Sequence, residues 1–103
     1  MNKYPKPRVI YVDVDGTLLV KGKIVDPVVR WVRKQKAKGF ELVVWSSRGK
    51  GHAERTVKAA GLNDCVLCCI SKPGYIVDDM RLSWLGYVAV IHPSQIREKF
   101  HYK

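Results

Sequence analysis

Residues 10–19 read Ile10-Tyr-Val-Asp13-Val-Asp15-Gly16-Thr17-Leu-Leu19, and this stretch decides the fold. An apolar run closes on two carboxylates two positions apart, followed by glycine and threonine. If residues 8–14 form a strand, Asp13 and Asp15 point to the same side, because strand side chains alternate. Gly16 then breaks the strand and lets the chain turn. Paired acids at a strand's carboxyl end suit a division of labour. One attacks an electrophile or binds a metal, and its neighbour moves a proton. The plainer reading is an Asp-rich turn that closes a strand.

Partners for the acids follow in order. Glu41-Leu-Val-Val-Trp45 is a second apolar run, ending in Ser46-Ser47-Arg48-Gly49. Val66-Leu-Cys-Cys-Ile70 ends in Ser71-Lys72-Pro73, and Tyr75-Ile-Val77 ends in Asp78-Asp79. Open parallel sheets bind ligands beyond the carboxyl ends of their strands. These endings would converge on one site.

With these motifs the chain resembles the haloacid dehalogenase-like superfamily, in its phosphatase branch. Asp13-Val14-Asp15-Gly16-Thr17 matches the first family motif. Ser46, with Ser47 as the lesser candidate, matches the hydroxyl of the second. Lys72 matches the third, and Asp78-Asp79 the fourth. The match spans residues 8–79. The first motif is specific, a lone Ser or Lys is not, and the ordered set is strong. The implied fold is a three-layer α/β, Rossmann-like parallel sheet with helices on both faces. About thirty residues separate the first two motifs and about twenty-five the next two, too few for the cap domain that many relatives insert. A capless, open site is therefore expected, roofed at most by residues 18–25.

The resemblance also implies a chemistry. Asp13 would attack phosphorus to give an aspartyl-phosphate, while Asp15 protonates the leaving oxygen and then activates water. Mg²⁺ would take Asp13, the backbone carbonyl of Asp15 and Asp78, with Asp79 acting through water. Ser46 would donate to a phosphoryl oxygen, and Lys72 would sit between phosphate and acids. Gly16, Thr17, Ser47 and Arg48 are candidate substrate contacts, and His52 is a weaker one. The ordinary readings are a helix-capping serine, a solvated lysine and a turn-forming acidic pair.

Length and composition bound the rest. The 103 residues suit one domain, 1–103, with residues 1–7 as a basic arm. A hydrophobic content of 47% argues against disorder. No apolar stretch approaches the ~20 residues of a membrane helix, and the N-terminus does not read as a signal peptide. A cytoplasmic protein without membrane partner is expected. Three cysteines, Cys65, Cys68 and Cys69, make no disulfide framework, and Cys68 and Cys69 read as packing residues in a strand. The net charge of +10 attracts anions. It fits a phosphorylated substrate such as a nucleotide or a nucleic-acid end. The alternatives are a small-metabolite phosphatase and a noncatalytic basic nucleic-acid-binding module. The oligomeric state is not legible.

Along the chain, residues 8–14, 41–45, 66–70, 75–77 and 87–91 read as strands, and residues 18–25 as a small hairpin. Asp26 is expected to cap a helix starting at Pro27 and stopped by Gly39. A second helix is expected over 52–60, and a final short one from Pro93 or Ser94 through Ile96 and Phe100. Trp31 and Trp45 read as core residues, while Trp84 and Tyr87 follow the fourth motif closely enough to edge the site. Bacterial receiver domains use similar residues, but with the acidic pair first and the lysine last. Here Lys72 precedes Asp78-Asp79, which excludes them. An intact Asp15 favours a phosphatase or phosphotransferase over dehalogenase-type relatives, which lack the second acid.

Overall fold

The computed structural model describes residues 5–96. The elements in chain order are β1 (Val9–Asp13), β2 (Leu19–Val20), β3 (Lys23–Ile24), α1 (Asp26–Ala37), β4 (Glu41–Ser46), α2 (Lys50–Ala59) and β5 (Val66–Ser71), followed by a 3₁₀ helix over Arg81–Tyr87. The main sheet has the order β1-β4-β5, with both pairs parallel. Parallel neighbours need a crossover. Here α1 joins β1 to β4, and α2 joins β4 to β5. The chain is α/β, with a Rossmann-like parallel sheet flanked by helices.

Alternation along the strands selects the core. Val12 and Val14 from the first strand segment and Leu42 and Val44 from β4 pack with Val28 and Val32 of α1 and Ala53 and Val57 of α2. Leu18, Leu62, Cys65 and Ile96 complete the cluster. Both helices end in the same device. Past α1, the Gly39 amide donates to the Lys36 carbonyl and the Phe40 amide to the Gln35 carbonyl. Past α2, the Gly61 amide bonds to Lys58 and the Leu62 amide to Val57. Each is a Schellman motif, whose left-handed position glycine fills at little cost. The φ values are +95° at Gly39 and +69° at Gly61. Arg33 then ties α1 to the loop after α2, with Nη1 3.3 Å from Asp64 and 3.4 Å from the Cys65 sulfur. Hydrogen bonding from this guanidinium holds the Asp64 carboxyl below the usual carboxylate range.

The hairpin of β2 and β3 forms as expected. Its two-residue turn places Lys21 and Gly22 at φ 51° and 74°. Positive φ at both positions is the turn geometry that matches strand twist. The α1 cap differs from the expectation. Val25 is the cap residue, with its carbonyl accepting from the Val28 and Val29 amides, and Asp26 lies inside the first turn.

Two expected strands do not form. Residues 75–78 are irregular, with Tyr75 and Val77 almost wholly exposed. Pro73 supplies no amide hydrogen, Gly74 follows, and three apolar residues make few ladder bonds. Tyr87 ends the 3₁₀ helix, and residues 89–92 carry no regular structure, with Val90 exposed. Residues 93–96 are helical, as expected for the start of the last helix. Phe100, expected in that helix, lies outside the described residues, as do residues 1–4 of the basic arm. The cysteines also separate. Cys65 is buried, Cys69 half-buried and Cys68 exposed, because β5 is an edge strand. Burial pushes the Cys69 thiol up, with lesser contributions from Glu54 and Cys68.

Candidate active site

Parallel pairing puts the carboxyl ends of β1, β4 and β5 on one side of the sheet, and these ends carry Asp13, Ser46 and Ser71. Asp13 pairs with Trp45, and Ser46 with Ser71. Lys72 leaves β5 with its amide donating to the Ser46 carbonyl at 2.9 Å. That bond aims the side chain, whose Nζ lies 3.1 Å from Asp13 Oδ1. The same ammonium stands 5.8 Å from the centroid of the Trp45 ring, which meets Tyr11 edge to face at 4.8 Å.

Trp45 is thus not a core residue of the helix side. In β4, Leu42 and Val44 join the helix-side core, which puts Val43 and Trp45 on the opposite face with Tyr11 and Asp13. The alternation of β4 carried this signal, but an aromatic in an apolar run reads as core by default. Trp31 packs against the core as expected.

Asp13 and Asp15 do not share one strand face. β1 ends at Asp13, and the chain turns at once. The Val14 carbonyl accepts from the Thr17 and Leu19 amides, and Gly16 adopts φ +87°. Asp15 consequently lies in a turn and faces the start of α2. Its Oδ1 is 3.2 Å from Arg48 Nη1 and 3.3 Å from His52 Nε2. The two acids keep separate partners, Lys72 for Asp13 and the Arg48–His52 pair for Asp15.

Ser46 is 1% exposed. Its hydroxyl oxygen accepts the Arg48 amide at 3.0 Å, and its carbonyl accepts the Gly49 amide at 3.1 Å. A hydroxyl that accepts one bond keeps its O–H to donate. Ser47 is exposed in the turn between β4 and α2, and Gly16 and Thr17 sit in the turn after β1. Ser71 was not anticipated as a site residue. Its Oγ accepts the Lys50 amide at 3.1 Å and so caps the first turn of α2 from a neighbouring strand. No local sequence signal reports a cap supplied from 21 positions away.

Asp78 and Asp79 stand apart from this arrangement. Asp78 Oδ1 accepts the Met80 amide at 2.7 Å, and its carbonyl accepts the Arg81 amide. It lines an open groove of ≈ 420 Å³ with Pro73, Gly74, Ile76, Arg81 and Leu82. Trp84, on the following 3₁₀ helix, buries its indole N–H without a hydrogen-bond partner in the described structure. The donor chemistry of Asp13 and the Asp15 carbonyl suits Mg²⁺, which favours hard oxygens. Among the described residues, however, no three His, Cys, Asp or Glu side chains gather as a metal site.

A family model for the haloacid dehalogenase-like hydrolases matches residues 10–102. The chain belongs to the haloacid dehalogenase-like hydrolase family. Comparison with curated proteins and with solved structures returns no match. At the ends of β1, β4 and β5, Lys72 reaches Asp13 with its side chain and Ser46 with its backbone amide. Among the described residues, no helix is long and apolar enough to cross a membrane.

Proposed function

We propose that this hydrolase is a cytoplasmic phosphomonoester hydrolase that works through an aspartyl-phosphate on Asp13. The observation that carries the reading is the 3.1 Å contact between Asp13 and Lys72, beside a second carboxylate in contact with Arg48 and His52. Phosphoryl transfer asks chiefly for positioning and charge neutralisation. Asp13 attacks phosphorus in line. Lys72 offsets the charge shared by the carboxylate and the phosphoryl oxygens, and Ser46 donates its O–H to one of them. Asp15 gives a proton to the departing oxygen, then takes one from the water that cleaves the acyl phosphate. Mg²⁺ held by Asp13 and the Asp15 carbonyl would neutralise charge on the phosphoryl group, whereas Asp78 and Asp79 lie outside this arrangement. Purified protein should hydrolyse an aryl phosphate and lose that activity in EDTA, with recovery on added Mg²⁺. Full activity in excess chelator would remove the metal from this reading.

The short connections support an open, capless site: residues 14–40 hold only the hairpin and α1, and residues 47–65 only α2. An open site admits a bulky phosphomonoester. The charge of +10 and the exposed Lys21, Lys23, Lys34, Lys36 and Lys38 favour nucleotide or nucleic-acid-end phosphates. Binding to such a polymer should weaken steeply with salt, in proportion to the phosphates contacted. Catalytic efficiency on 3′-phosphorylated oligonucleotides should exceed that on sugar phosphates at low salt, and the advantage should shrink at moderate salt. If sugar phosphates win at both salt levels and oligonucleotides do not compete, the substrate is a small metabolite. Oligonucleotide binding without turnover of any phosphate ester would instead indicate a noncatalytic binding module.

A further inference from the structure

We propose that His52 is a positioning residue that sets the direction of the Asp15 carboxyl group and thereby governs proton delivery to the leaving group. The inference rests on the phosphatase reading above. His52 and Arg48 both contact Asp15 Oδ1, at 3.3 and 3.2 Å, but they differ in kind. The Arg48 side chain is 65% exposed and the His52 side chain 11%. Arg48 is long and solvated, so it can leave the carboxylate for an incoming phosphate without loss of packing. His52 cannot leave so easily. It occupies the first turn of α2, and its ring is enclosed there. Its carbonyl accepts the Thr56 hydroxyl at 2.9 Å, and α2 is capped from β5 by Ser71. The ring is therefore fixed to the same framework that carries Ser46 and Lys72.

In the proposed arrangement His52 Nε2–H donates to Asp15 Oδ1, so the proton to be delivered is carried on the second carboxyl oxygen. With one oxygen tied to a fixed donor, the torsion of the Asp15 side chain is set and its second oxygen takes a defined direction. Asp15 needs such help because it lies in a turn beyond β1, outside the sheet ladder that orients Asp13. A misplacement of about 1 Å in a reacting group can cost up to a hundredfold in rate. The cost should appear only where the leaving oxygen needs a proton.

The test compares two aryl phosphates that differ mainly in leaving-group acidity, phenyl phosphate and 2,4-dinitrophenyl phosphate. The readout is kcat/KM, which covers the steps up to departure of the leaving group. His52→Ala should lower kcat/KM for phenyl phosphate roughly ten- to hundredfold. For dinitrophenyl phosphate, whose leaving group needs no proton, the loss should stay within about threefold. His52→Gln, which can present an N–H in the same place, should recover most of the phenyl phosphate rate. If His52→Ala does not fold, His52→Leu removes the donor at nearly constant volume and carries the same comparison. Equal losses on both substrates, or no loss on phenyl phosphate, would overturn the role of His52 alone. A wild-type protein that turns over neither ester would overturn the phosphatase reading, and this inference with it.

Discussion

Asp13→Asn should abolish turnover and leave the fold intact. The amide is nearly isosteric with the carboxylate but is not a competent nucleophile toward phosphorus, so no phosphoenzyme can form. The structural loss is small. The Asp13–Lys72 pair is about one-third exposed on both sides, and exposed pairs contribute only ~0–1 kcal/mol. Asp13 is also not a member of the apolar core cluster. The thermal midpoint should therefore stay close to wild type while hydrolysis of an aryl phosphate falls to background. Near wild-type turnover by Asp13→Asn would mean that another group is the nucleophile.

Asp15→Asn should slow turnover by roughly 10²–10⁴, the range for loss of a positioned general acid–base. The amide oxygen of Asn can still accept from Arg48 and His52, so the local geometry should survive. What disappears is the transferable proton. Two steps then suffer, protonation of the leaving oxygen and deprotonation of the attacking water. The second defect should make the aspartyl-phosphate persist. Mass spectrometry of acid-quenched Asp15→Asn should detect a phosphoryl adduct on the peptide that contains Asp13, while Asp13→Asn should show none. A rate within a few-fold of wild type, with no adduct, would contradict the assignment of Asp15.

The two variants also probe different surroundings. Asp13 answers to Lys72 at the end of β5, whereas Asp15 answers to the first turn of α2. Loss of Asp13 leaves Lys72 beside Trp45 without its carboxylate partner. Loss of charge at Asp15 leaves Arg48 and His52 facing a neutral amide. Each acid has its own basic partners, and in the proposed mechanism this separates the surroundings of the nucleophile from those of the proton carrier.

Much of this was legible in the chain before folding. The apolar run that ends at Asp13 announced a strand of the parallel sheet with a carboxylate at its carboxyl end. Ser46 and Lys72 follow comparable runs, so their order alone predicted convergence above a parallel sheet. Gly39 and Gly61 marked the helix ends, because a left-handed position after a helix favours glycine. Local readings of this kind succeed where backbone sterics and alternation act over a few residues.

Tertiary structure decided what depends on distant partners. That Asp15 turns toward His52 and Arg48 follows from the end of β1 at Asp13 and from how α2 packs, which no local pattern encodes. Trp45 changed from expected core to a platform beside Lys72 because register with Asp13 places it on the face opposite α1 and α2. Ser71 became the cap of α2 only through pairing of β4 with β5. Residues 75–77 carry strand-like sequence, yet Tyr75 and Val77 stay exposed and no ladder forms. Pattern sets which face of an element is apolar, but a strand exists only where another strand satisfies its amides and carbonyls.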